Sequence, residues 1–227
     1  MKLLAENTKT KKSKKLGIKT TGLSLLPNIM GGGKNLCKYA SAGCRNACLV
    51  VTGMGVFPVV KEARMARTKM YLNHKKYFVE KLKKEISAEE KKAEKAGMKC
   101  AIRLNVLSDE AWHEIIDFNE WPNVQFYDYT PNTPRMIKYL KGELPKNYHL
   151  TYSRKENNQA QVELILKMGG NVAVVFQNKL PETYLGKKVV FGDDSDARFL
   201  DEKNVVVGLV AKGKKAREDS SNFVIRG

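Results

Sequence analysis

From Gly97 onward the chain alternates short apolar runs with helical or irregular stretches, and this rhythm constrains the fold more than any other feature. The runs fall at 101–105, 124–129, 148–152, 172–176, 189–191 and 205–210. Several follow a turn signal: Pro122-Asn123, Pro145-Lys146-Asn147, Gly169-Gly170-Asn171 and Lys203-Asn204. Helical or irregular sequence fills gaps at 109–119, 133–141 and 158–168. Strands separated by crossovers imply a parallel sheet. A further run at 22–26, ended by Pro27, supplies a first strand and makes seven. So many short strands favour an α/β fold built as a full or partial parallel (β/α) barrel, with a doubly wound sheet as second choice. No internal repeat or interdomain linker is visible, so residues 21–227 read as one α/β domain.

Between the first strand and the others, residues 58–97 read as helix throughout. Val59, Val60, Ala63, Ala66, Met70 and Tyr71 recur at helical spacing, and Tyr77, Phe78, Leu82 and Ile86 continue it. Pro58 suits the first turn and Gly97 a C-terminal cap. Ser87-Ala88-Glu89-Glu90 fits a capping box and marks a second helix start. Ahead of the first strand, Lys9, Lys11, Lys12, Lys14, Lys15 and Lys19 crowd together with no acid among them. Residues 1–20 are therefore expected to form a basic arm, mobile or weakly ordered.

Lys plus Arg number 41 against 24 for Asp plus Glu, a formal net charge of +17 over 227 residues. A field of that size attracts polyanions and speeds encounter with them. Solvated, solubilising faces are the plainer explanation, and the mixed Glu/Lys stretch at 80–95 is one. The N-terminal cluster and the C-terminal Lys212, Lys214, Lys215, Arg217 and Arg226 are uneven enough to point to nucleic acid, DNA first, as the partner. No run approaches the roughly 20 apolar residues of a membrane-spanning helix. The N-terminus also lacks the apolar stretch of a secretory signal. No membrane partner is expected, and the expected compartment is the cytoplasm, where thiols stay reduced.

Cys37, Cys44 and Cys48 lie directly after the first strand in a loop that begins Gly31-Gly32-Gly33-Lys34. Three thiols so close in a reduced compartment are metal ligands more often than small buried hydrophobes, because thiolate is the soft donor that zinc and iron–sulfur clusters select. The loop residues between them, Lys38 to Gly43 and Arg45 to Ala47, are too small and polar for a core strand. Zinc sites of four thiolates come as two C-x2-C pairs, which this chain lacks. Three cysteines suit a [4Fe–4S] cluster with one open iron, or zinc with a fourth ligand from Cys100, His74, His113 or His149. Cys100 heads a strand and is better read as a core thiol. The glycine run is not a phosphate-binding loop, since no G-x4-G-K-[ST] can be written. Lys34 remains a phosphate contact at the loop.

Parallel α/β folds do chemistry at the C-terminal ends of their strands. Those ends supply Asn105, Ser108 and Asp109; Tyr127, Asp128 and Tyr129; Tyr152, Ser153 and Arg154; Gln177; Asp193, Asp194 and Asp196; and Lys212. Asp128, Asp109 and Asp194 are the candidate catalytic carboxylates. Facing carboxylates split into acid and base, or base and nucleophile. Asp128 leads, because a carboxylate inside an aromatic strand is costly unless partnered. Asp109 serves equally well as a helix N-cap, and the Asp193–Asp196 run as a turn or a magnesium site. Asn105, Ser108, Tyr127, Ser153, Arg154, Lys212 and Lys34 are the candidate substrate contacts, with Arg154 and Lys212 suited to phosphate. Tyr127 and Tyr129 point to the face opposite Asp128. Their rings could stack bases, although packing is their commoner use.

The cysteine loop, Leu104–Asp109, Val124–Thr130, Leu150–Arg154 and Gly208–Gly213 resemble bacteriophage proteins of the gene product 88 type, in the same block order, from Asn7 onward. The resemblance implies a phage origin and the host cytoplasm during infection, but no activity. A more distant resemblance is to radical SAM enzymes. These place three cysteines after the first strand of a (β/α) barrel and leave one cluster iron for S-adenosylmethionine. Cys37, Cys44 and Cys48 match in number and topological position. Their C-x6-C-x3-C spacing departs from C-x3-C-x2-C, Ala47 replaces an aromatic residue, and no Gly-Gly-Glu follows the second strand. The expectation is a phage-encoded iron–sulfur enzyme acting on DNA or nucleotides. One alternative resembles the guanine transglycosylases, a zinc-containing base-exchange or glycosidic-bond enzyme using Asp128 and a second Asp; that family's zinc cysteines lie late in the chain. The other is a non-catalytic DNA-binding or host-takeover protein with a structural metal.

Overall fold

In the computed structural model, which describes residues 1–226 (Val51 by its backbone only), the chain builds one ten-stranded sheet. Its elements are β1 (Leu4–Ala5), α1 (Thr8–Lys12), β2 (Ile18–Leu23), α2 (Ala42–Asn46), α3 (Pro58–Asn73), α4 (Lys75–Lys95) and β3 (Lys99–Arg103). There follow β4 (Val124–Thr130), α5 (Thr133–Leu140), β5 (Tyr148–Ser153), α6 (Gln159–Lys167), β6 (Val172–Phe176), β7 (Thr183–Tyr184) and β8 (Lys187–Phe191). The chain ends with β9 (Val206–Val210), α7 (Lys214–Arg217) and β10 (Val224–Ile225).

The strand order is β1-β2-β3-β4-β5-β6-β9-β8-β7, with β10 pairing β6. All pairings from β2 to β8 are parallel, while β1 and β7 add antiparallel at the edges. The seven expected strands are all present. The expected barrel is not: the sheet is open. The chain lays down β8 before β9 yet places β9 inside it, and a two-residue antiparallel strand blunts each outer edge. These strands cover only one end of β2 and of β8, and among the described residues the two outer sides of the sheet do not pair with each other. The first strand spans 18–23 rather than 22–26, because Gly17, at φ 70°, ends the helical turn before it.

Side chains alternate across the sheet as the pleat requires. Cys100, Ile102, Phe126, Leu150, Tyr152, Val172, Val174 and Phe176 face the main core with Phe78, Leu82 and Ile86 of α4. Ile18, Ala101 and Tyr127 face the other way, towards Ala197. The helical stretch breaks at His74, between α3 and α4, and not at Ser87. The expected capping box goes unused because the Ser87 hydroxyl accepts from Trp121 Nε1 at 2.8 Å and donates back to the Lys83 carbonyl, so α4 runs through it.

The basic arm is folded. Leu3 and Leu4 are fully buried in the main core, and their amides donate to the Glu85 carboxylate on α4. Asn7 caps α1 in a reciprocal pair with Thr10. Lys9 meets buried Asp196 at 3.3 Å, which pins α1 over the second face of the sheet. Lysine density suggested mobility; two leucines and one buried ion pair overrule it.

Candidate functional site

The cysteine loop lies across the C-terminal edge of the parallel sheet. Cys37 Sγ donates to the Leu107 carbonyl at 3.3 Å, and Asp109 N donates to the Leu36 carbonyl at 2.8 Å, tying the loop to the segment after β3. Lys155 Nζ, just past β5, donates to the Tyr39 carbonyl at 2.7 Å. Glu156 accepts from Ser41 Oγ at 2.6 Å and from Gly43 N at 2.8 Å. Ser41 in turn caps α2, the short helix that carries Cys44. Gly43 is required by close packing: a Cβ there would stand 2.2 Å from Ser221 Oγ and 2.5 Å from Phe223 Cβ.

The C-terminal tail is the wedge that Gly43 touches. β5 pairs with Val172 and Ala173 of β6, whereas β10 pairs with Val175 and Phe176. The tail thus replaces β5 as the neighbour of β6 near the strand ends. Arg154 holds it by donating to the carbonyls of Asn222 and Phe223. These bonds engage Nη1 of its guanidinium with the backbone of the tail.

Cys37, Cys44 and Cys48 are each partly buried. Burial pushes the Cys37 thiol up to about 11, and the nearby Cys48 adds to the shift. Burial pushes Cys44 up to about 12, with Cys48 and Cys37 both adding and Lys155 opposing. Cys48 is raised by burial and eased by the Val50 backbone and Arg64. The thiols share one neighbourhood in which their ionised forms repel one another, the donor chemistry that a bound cation relieves. Among the described residues no group of three or more His, Cys, Asp or Glu stands arranged to hold a metal ion. The loop gathers the donors without closing them on a point.

Cys100 is a core thiol at the start of β3, away from the loop that sits on the strand ends. His113 packs against Tyr148, and His149 Nδ1 shares a hydrogen bond with the Tyr139 hydroxyl. Both histidines are thus engaged by aromatic neighbours.

Asn105, Ser108, Asp109, Asp128 and Lys34 come together in one polar network at the ends of β3 and β4. Asp128 Oδ1 accepts from Asn105 N at 2.8 Å, and Oδ2 accepts from Asn105 Nδ2 at 3.0 Å and Tyr148 OH at 3.1 Å. Ser108 Oγ and Glu110 N both donate to Asn105 Oδ1. Asp109 accepts from Arg135 Nη1 at 2.8 Å and Thr130 Oγ1 at 2.9 Å. Glu110 accepts from Tyr71 OH at 2.7 Å and Lys34 Nζ at 2.5 Å. Burial pushes the Asp128 carboxyl up to about 7 and the Asp109 carboxyl up to about 6, the latter opposed by Arg135 and Thr130. Every oxygen of Asp128 is filled by protein donors, so it latches the loop after β3.

The remaining residues are placed elsewhere. Tyr127 faces the opposite side of the sheet and donates to Asp196 at 2.8 Å. Asp194 is exposed, while Asp196, two residues on, is buried against Arg103 and Lys9. Lys212 pairs with Asp193 at 2.6 Å. Ser153 offers its carbonyl to Asn158. Arg103, Arg135, Glu110, Glu156 and Asp196 were missed as organising residues. For Arg103 a signal existed: a cation flanked by Ile102 and Leu104 in a strand needs a partner.

An open, mostly parallel α/β sheet whose C-terminal edge is crossed by a three-thiol loop is the class of protein defined here. Within that class, the chain belongs to the Gene product 88 family, a phage gene-product family whose model matches residues 1–227. No curated protein and no solved structure matches the chain. No helix among the described residues is long and apolar enough to cross a membrane.

Proposed function

We propose that this Gene product 88 protein is a nucleic-acid-directed metalloenzyme in which Cys37, Cys44 and Cys48 hold a [4Fe–4S] cluster. The observation that carries the reading is the gathering of three thiols over the strand ends, where parallel α/β folds place their chemistry. A cluster on three thiolates keeps one iron for an outside ligand, and S-adenosylmethionine is the ligand this reading assigns. The chain's own work is positional. Glu156, Lys155 and the C-terminal tail hold the loop down, and the Asn105–Asp128 latch holds the segment beneath it. The net charge of +17 supports DNA or a nucleotide as substrate, met in the host cytoplasm.

Zinc is the second reading, favoured by the same donors, with a water completing the coordination. Base exchange through paired aspartates is the weaker form of it, because Asp128 and Asp109 are already bonded within the protein. A structural zinc in a non-catalytic DNA-binding protein is the other form. Metal and acid-labile sulfide analysis of anaerobically purified protein, beside a C37A/C44A/C48A triple variant, tests the proposal. About four irons and four sulfides per chain, lost in the variant, are expected. One zinc without sulfide selects the second reading, and protein with no iron and no sulfide after anaerobic reconstitution sinks the first.

A further inference from the structure

A cleft of about 710 Å³ opens beside Cys48. One wall is the segment from Thr52 to Val56, and the other runs from Lys212 to Ala216. The walls meet at Gly213, whose φ of 83° suits glycine and where a Cβ would stand 2.7 Å from Thr52 Cγ2. Lys212, Lys214 and Lys215 line the cleft, and no acid does. Lys214 is 84% exposed and meets Glu218 only at 3.9 Å, so its charge is directed to solvent. Val56 of the lining is 48% exposed, and its neighbours in the chain, Met54 and Phe57, are 63% and 52% exposed. Exposed apolar side chains beside the exposed Lys214 and Lys215 match a partner that is both anionic and flat-faced.

We propose that this cleft is a binding track for single-stranded nucleic acid, with phosphates at Lys214 and Lys215, Lys212 being held by Asp193, and an unpaired base against Phe57. The track rests on the nucleic-acid reading above and names its partner as an unpaired strand running past Cys48. Its size falls in the roughly 300–1,000 Å³ range of small-molecule pockets, which suits a nucleotide unit and not a duplex. Stacking on exposed rings needs bases with free faces, which a duplex hides and a single strand presents. Lysines confer no sequence preference, so the track is sequence-tolerant and salt-sensitive.

The test is fluorescence anisotropy of a labelled deoxyoligonucleotide, single-stranded and as its matched duplex, across a salt series. The single strand is expected to bind more tightly than the duplex. K214Q/K215Q, which alters two exposed side chains, is expected to lower the slope of log affinity against log salt by about 1.4, at roughly 0.7 per lysine. Phe57→Ala is expected to weaken single-strand binding about tenfold while leaving that slope unchanged. Equal affinity for strand and duplex, or wild-type affinity in both variants, overturns the track. Metal and sulfide are measured on the same preparations. Their absence from the wild type overturns the proposed cluster alone, and unchanged oligonucleotide binding in the variants overturns the track alone.

Discussion

Asp128→Asn separates a buried latch from an ionised catalytic carboxylate, and its effect can be worked from the structure. Asp128 is 2% exposed, and burial raises its carboxyl from 3.8 to about 7. A group whose folded pKa lies above its unfolded value contributes stability that is complete below the unfolded pKa. That contribution is lost as pH rises through the folded pKa. Three units at about 1.36 kcal/mol each put the loss at roughly 4 kcal/mol between about pH 4 and pH 8. Asparagine cannot ionise, so the variant lacks this slope. Its amide oxygen still accepts from Asn105 N, and the Tyr148 hydroxyl can turn to accept from its nitrogen. Asn105 Nδ2 loses one acceptor but keeps the Glu110 carbonyl at 2.9 Å, a penalty of about 1 kcal/mol. The wild type should therefore be slightly the more stable at low pH and the variant the more stable by about 3 kcal/mol at high pH. Asp109, shifted in the same direction, is present in both proteins and cancels from the difference. Urea unfolding at a series of pH values reads that difference directly. A difference constant with pH would refute the reasoning, because Asp128 would then be ionised throughout and the network would be stabilising an anion.

Three further outcomes are expected. Asp196→Asn strips Arg103 and Lys9 of their shared buried carboxylate and should destabilise by about 3–5 kcal/mol in urea unfolding; a change below about 1 kcal/mol would mean the pair behaves like a surface ion pair. Gly43→Ala puts a Cβ 2.5 Å from Phe223 Cβ and should cost about 1–3 kcal/mol. It should also speed proteolysis of the C-terminal tail, and an unchanged cleavage rate would show that the tail does not depend on this contact. Leu4→Ala should cost about 2–5 kcal/mol, as expected for a fully buried leucine; a thermal unfolding midpoint identical to wild type would restore the mobile arm.

What the amino-acid order determined by itself was local. Val172 to Phe176 or Val124 to Thr130 become strands because β-branched and aromatic residues suit a pleated, half-buried surface, and the preceding Gly or Pro signals mark where they start. The polar residues after β3 and the three cysteines were legible for a similar reason: residues of those types are costly to bury or rare in loops unless something uses them. Tertiary structure alone decided which strands meet. The placement of β9 inside β8, the insertion of β10 beside β6 and the open edges depend on pairings between segments far apart in the chain. It also decided which of two neighbouring acids is buried: Asp194 and Asp196 look alike in sequence, yet only Asp196 lies beneath Lys9 and beside Arg103. The folded arm has the same origin. Its seven lysines set its composition, but the pocket that buries Leu3 and Leu4 is built partly by α4, some eighty residues away. A hydrophobic contact or buried ion pair is a property of two segments at once, and no local pattern in either one carries it.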